Sequence, residues 1–126
     1  MTTGKRVLIV EDEAIVAMSL SRTLPRLGYE VCGVIASGEE VLDRIDVVQP
    51  DLLLMDIHLL GNLDGVETAE KIRQRYSTPI VFMSGYDINE ILEKTKHITN
   101  AAHVGKPVGL TVLAEIIQNA LGKSTA

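Results

Sequence analysis

Asp56 closes the apolar run Leu52-Leu53-Leu54-Met55, so a carboxylate stands where a buried strand would leave its sheet. Three other runs end in polar groups the same way. Arg6 to Val10 meets Glu11-Asp12, Pro79 to Met83 meets Ser84, and Ala101 to Gly105 meets Lys106. If these runs are parallel neighbours, their carboxyl ends share one edge, where open α/β sheets bind ligands. Three acids, a hydroxyl and an ammonium then converge. Carboxylates about 4 Å apart repel by roughly 4 kcal/mol at an effective dielectric near 20, so such a site calls for a cation. Oxygen ligands without paired His or Cys favour Mg²⁺, often completed by phosphate oxygens, over zinc. Lys106 suits one phosphoryl oxygen and Ser84 another. Asp56 is then placed to attack phosphorus and form an aspartyl phosphate.

Those residues need a sheet to hold them. Val7-Leu8-Ile9-Val10 has the continuous β-branched character of a strand covered on both faces. Ala17, Leu20, Leu24 and Leu27 follow at helical spacing, with Pro25 predicting a kink or early fraying in the last turn before Gly28. Tyr29 to Val34 reads as a second strand. Ser37-Gly38-Glu39-Glu40 matches a capping box that opens a second helix. Asp51 to Asp56 is the third strand, followed by a loop with turn residues at Gly61 and Gly65. Val66, Ala69, Ile72 and Tyr76 mark a third helix, with Glu67 and Lys71 spaced for an exposed pair. A fourth strand over Ile80 to Met83, a thinly apolar helix over Ile88 to His97 and a short strand near Ala102 to Val104 come next. A last helix then carries Leu110, Leu113, Ile116, Ile117, Ala120 and Leu121. Alternating strands and helices with short connections predict an α/β, flavodoxin-like three-layer fold. Its five-stranded parallel sheet, in the order 2-1-3-4-5, is flanked by five helices. That order sets Glu11-Asp12 beside Asp56.

At 126 residues the chain fits one domain, expected over 5–122 with flexible tails at 1–4 and 123–126. With 46% apolar and 23% charged residues, the balance is that of a folded chain. A net charge of −5 offers no basic stripe for nucleic acid, and no apolar stretch has the length of a membrane span. Cys32 has no internal partner and reads as a small buried hydrophobe in the second strand. A soluble cytoplasmic protein is expected.

The run Val7 to Glu13, the Met55-Asp56 step, Asp64-Gly65, Ser84 after Val81-Phe82-Met83, and Lys106-Pro107 together resemble the receiver domain of two-component response regulators. The resemblance covers almost the whole chain. It implies that Asp56 is the phosphoacceptor and that Glu11, Asp12 and Asp56 hold Mg²⁺ together with the main-chain carbonyl of His58. It makes Ser84 the switch hydroxyl and Lys106 the lysine that pairs with the phosphoryl group. It implies a sensor histidine kinase or histidine phosphotransfer protein as donor, a downstream protein as target, and a phosphorylation-dependent homodimer as one outcome. Two features depart from the pattern. His103 stands where receivers usually carry Tyr or Phe, so the family's aromatic movement does not carry over to it. The loop after Asp56 lacks the usual Met-Pro and is one residue longer. Ser84-Gly85-Tyr86 with Gly105-Lys106-Pro107 is similar to a subgroup of receivers without that aromatic, and Tyr86 is expected at the crevice rim.

Taken singly, each residue has an ordinary explanation. Glu11-Asp12 suits a turn capping the first helix, Ser84 before Gly85 suits a plain turn, and Lys106-Pro107 suits a connector. His58, His97 and His103 are not spaced as a metal set, and His97 is expected at the surface. A receiver-like interaction module that is never phosphorylated is an alternative. Enzymes that turn over phosphomonoesters through an aspartyl phosphate place Asp-x-Asp after the first strand, where this chain has Glu11-Asp12-Glu13, so turnover of a small molecule is not expected. Acids at that place would also repel the phosphate of FMN.

Overall fold

The computed structural model describes residues 4–85 and 87–124. Three apolar runs become the interior strands β1 (Arg6–Val10), β3 (Leu52–Asp56) and β4 (Ile80–Ser84), buried almost throughout. The flanking strands β2 (Glu30–Ile35) and β5 (Ala101–Gly105) have mixed exposure, as edges do. All pairings are parallel and the order is β2-β1-β3-β4-β5, the order expected.

Among the described residues five helices alternate with the strands: α1 (Ala14–Arg26), α2 (Gly38–Val48), α3 (Gly65–Arg73), α4 (Ile88–Thr95) and α5 (Leu110–Ser124). The strand period of two divides the core. Leu52 and Leu54 join Leu20, Leu24, Leu113 and Ile117 of α1 and α5 on one face. Leu53 and Met55 join Val41, Ile45, Ala69, Ile72 and Ile91 of α2, α3 and α4 on the other. Each Val, Leu, Ile or Met among them, fully buried, contributes roughly 1.5–3 kcal/mol, so both faces anchor the strands whose ends carry the polar groups. Among the described residues no helix is long and apolar enough to cross a membrane.

Several local expectations are refined. At Pro25 the helix closes rather than kinks: Leu27 N–H and Gly28 N–H bond to Leu24 O and Pro25 O, and Gly28 leaves at φ 93°. Cys32 is only half-buried, because β2 is an edge strand and its register with β1 skips from Val31 to Gly33. At α2 only half of the capping box forms. Ser37 accepts from Glu40 N at 3.2 Å, but the Glu40 carboxylate turns to Arg44 at 3.0 Å. The complete box opens α3, where Asp64 accepts from Glu67 N and Glu67 accepts from Asp64 N. Glu67 is therefore committed to the cap instead of Lys71, since the orphan N–H at a helix start is the stronger competitor. The fourth helix stops at Thr95, short of His97, and the last helix runs on to Ser124.

Gly65 is not a turn residue. It opens α3 with ordinary dihedrals, and a Cβ there would lie 2.3 Å from the Asp56 carbonyl oxygen and 2.7 Å from Ile57 Cα. Its N–H bonds to Ile57 O at 2.8 Å. Only a residue without a side chain lets α3 start this close to the end of β3.

Candidate functional site

Strand order and register bring the polar ends together. Val10 pairs with Met55, which sets Glu11 next to Asp56, and Asp56 pairs with Met83, one residue before Ser84. Ser84 pairs with Gly105, one residue before Lys106, and Lys106 N–H donates to Ser84 O at 2.8 Å. Asp12, Asp56, His58, Gly85 and Lys106 line a cavity of about 410 Å³. Ser84 is buried beside it at the end of β4.

Lys106 is the electrostatic centre. Its Nζ lies 2.7 Å from Glu11 Oε1, 3.2 Å from Asp56 Oδ2 and 3.4 Å from Glu13 Oε1. The side chains of Glu11, Asp56 and Lys106 are 0%, 5% and 16% exposed, so these charges interact with little solvent between them. Burial pulls the Lys106 ammonium down, but Glu11 and Asp56 together outweigh it and hold the pKa above the ordinary lysine value. Burial pushes the Glu11 carboxyl up, Asp56 adds to the rise, and Lys106 only partly offsets it. The Lys106–Glu11 contact is the closest of the three, and the buried Glu11 Oε1 depends on it.

Glu11, Asp12 and Asp56 each offer an oxygen within 4.8 Å of the others. These three carboxylates outnumber the one ammonium beside them, and an excess of negative charge carried by oxygen donors alone is what a divalent cation neutralises. The donor set therefore fits Mg²⁺. Asp56 is oriented as well, since Oδ1 accepts from His58 N–H at 3.0 Å. Glu11 Oε2 accepts from Glu13 N–H at 3.1 Å in the turn that leads into α1, but it does not cap the helix: the N-cap is Glu13 and no side chain caps it.

Comparison with known proteins decides the family. The profile described as the response regulator receiver domain matches residues 7–118. The chain belongs to the response regulator receiver family. The receiver is 30% identical over 119 residues to the transcriptional regulatory protein PdtaR of Mycobacterium tuberculosis, covering 94% of this chain and 58% of that protein. It is 36% identical over 117 residues to the positive alginate biosynthesis regulatory protein of Pseudomonas aeruginosa, covering 90% and 46%. The receiver thus spans about half the length of these curated relatives. Among solved structures it superposes with TM-score 0.88 and 36% identity on the signal receiver domain of a modulated diguanylate cyclase from Desulfovibrio desulfuricans G20, covering 97% of each chain. A CheY-like receiver domain from Methanospirillum hungatei JF-1 gives TM-score 0.83 and 30% identity, with 96% of each covered. Receiver domains are signalling domains that bind Mg²⁺ at an acidic pocket and interact with histidine kinases or phosphotransfer proteins.

The receiver's departures from the pattern also find their places. His103 is half-buried on β5, stacked on Phe82 with centroids 5.6 Å apart. Its Nε2 is hydrogen-bonded to the Thr95 hydroxyl, which also bonds to Ile91 O. Burial lowers the His103 pKa, favouring the neutral ring. His103 therefore ties β5 to α4. Tyr86 lies outside the described residues. His97 is exposed, as expected, and pairs with Glu70 at 2.6 Å. Glu13, given no role by its sequence position, is the third carboxylate on Lys106; the run of three acids was its only signal. Thr95 had none, since nothing local connects a threonine in α4 with a histidine in β5.

Proposed function

We propose that the receiver accepts a phosphoryl group on Asp56 from a phosphohistidine donor and thereby switches a partner-binding surface. The observation that carries this reading is Lys106 Nζ at 3.2 Å from Asp56 Oδ2 within a cluster of three carboxylates. Glu11, Asp12, Asp56 and the main-chain carbonyl of His58 would hold Mg²⁺, which supplies charge neutralisation for the oxygens of the transferring group. An Asp56 oxygen forms the new bond to phosphorus as the phosphorus–nitrogen bond of the donor breaks, its electron pair leaving with the imidazole. Lys106 exchanges part of its contact with Asp56 for a phosphoryl oxygen, and Ser84 donates its hydroxyl to another.

The switch then acts through β4, β5 and α4. Ser84 and Lys106 are joined through the backbone, and His103 binds α4 through Thr95. A movement of Ser84 toward the phosphoryl group would therefore be felt at the α4–β5–α5 face. The donor is a sensor histidine kinase or histidine phosphotransfer protein. The target is a downstream protein or a second phosphorylated copy. The aspartyl phosphate hydrolyses slowly in place, with no small-molecule turnover, and the setting is cytoplasmic. A net charge of −5 argues against direct binding of nucleic acid.

Intact-mass measurement after incubation with Mg²⁺ and acetyl phosphate tests the acceptor. Wild type should gain one phosphoryl group and Asp56→Asn none. Equal incorporation would remove Asp56 from the role.

A further inference from the structure

The loop between β3 and α3 gives backbone N–H groups to carboxylates from three separate parts of the chain: the end of β3, the β1–α1 connection and α2. His58 N–H donates to Asp56 Oδ1 at 3.0 Å, Leu60 N–H to Asp12 Oδ2 at 3.3 Å, and Leu63 N–H to Glu39 Oε1 at 2.7 Å. Asp56 and Asp12 belong to the candidate metal set. Glu39 does not: it lies in the first turn of α2, on the other side of the loop. Its bond is the shortest of the three and partly buried, whereas the Leu60 bond is long and exposed. A charge-assisted bond of that length is the stronger anchor.

The loop is shaped to reach Glu39. Gly61 stands at φ 108°, and a Cβ there would come within 3.2 Å of Glu39 Oε2. This glycine supplies a conformation that other residues rarely adopt and lets the backbone lie against the carboxylate. Leu59, buried in the core, fixes the near end of the loop, and Glu39 fixes the far end. Leu60, whose N–H orients Asp12, is suspended between them.

We infer that Glu39 is a positioning residue for the divalent-cation site. By pinning the loop it holds the Leu60 N–H against Asp12 and so sets Mg²⁺ affinity without touching the ion. Outer hydrogen bonds that orient ligating groups commonly control affinity in this way. The inference rests on the reading of Glu11, Asp12 and Asp56 as the metal set.

The test compares wild type, Glu39→Ala, Glu39→Gln and Glu40→Ala by amide hydrogen exchange without metal and by calorimetric titration with Mg²⁺. Glu39→Ala should speed exchange at Leu60 and Leu63 by about tenfold and weaken Mg²⁺ binding by roughly three- to tenfold, at or below the usual range for outer ligands. Glu39→Gln, whose amide oxygen still accepts from Leu63, should recover most of both. Glu40→Ala removes the same charge from the same helical turn and should change neither. Wild-type exchange and affinity in Glu39→Ala would overturn the inference, as would a Gln variant no better than Ala. Failure of the metal reading is separately visible: wild type itself would then give no Mg²⁺ binding, while exchange at Leu60 would still report whether Glu39 pins the loop.

Discussion

Replacing Asp12 with alanine is expected to weaken Mg²⁺ binding by more than about 100-fold, beyond the cost of losing an outer partner, while the metal-free fold is left intact. The other two acids are already engaged. Glu11 is held by Lys106 and by Glu13 N–H, and Asp56 by Lys106 and His58 N–H. Asp12 is half-buried, faces the cavity and accepts one long bond from Leu60 N–H. It therefore brings the most freely available oxygens to a cation. Its removal also relieves repulsion within the cluster, so metal-free stability should hold or rise slightly. Calorimetric titration gives the affinity, and thermal unfolding with and without Mg²⁺ gives the linkage: the ion should raise the melting temperature of wild type and leave the variant unmoved. Wild-type affinity in Asp12→Ala would mean that the metal has been placed wrongly.

Lys106→Ala should have the opposite signature. Lys106 is the cation in contact with both Glu11 and Asp56, and Glu11 Oε1 is buried with no hydrogen bond to fall back on. Breaking a buried pair from one side leaves an uncompensated charge, at a cost of about 3–5 kcal/mol. The 16% exposure of Lys106 puts this site toward the lower end of that range. Mg²⁺ should still bind and restore much of the lost stability, because the ion supplies the missing positive charge where the acids converge. The phosphoryl-dependent change should weaken even so, since no ammonium remains to pair with the new dianion. Urea unfolding with and without Mg²⁺ checks the first expectation, and the spectral change on adding acetyl phosphate checks the second. Wild-type stability without metal, or an unchanged phosphorylated spectrum, would contradict them.

What could be read along the chain was whatever repeats at the strand or helix period. β1, β3 and β4 are interior strands covered on both faces, so their sequences are unbroken apolar runs whose polar ends stand out. The parallel order then follows from short alternating connections, and with it the meeting of Glu11, Asp12, Asp56, Ser84 and Lys106. The boundaries and caps were harder because two local bonds compete there. Glu67 has both a capping partner and a possible pair at Lys71, and spacing alone does not rank them. The contacts that tune the site were not legible at all. Gly65 against the Asp56 carbonyl, Glu39 against Leu63 N–H, and Thr95 against His103 form only once loops and helices have packed. Arg73 is similar: its guanidinium bonds to the carbonyls of Tyr76, Thr99 and Asn100, joining the end of α3 to the start of β5.

Locating the transferred phosphoryl group tests the account most directly. After incubation with Mg²⁺ and acetyl phosphate, borohydride reduces an aspartyl phosphate to homoserine, and peptide sequencing by mass spectrometry shows where that residue lies. Homoserine at position 56 is the predicted result. Homoserine at any other position, or a phosphorylated protein with none at all, would contradict it.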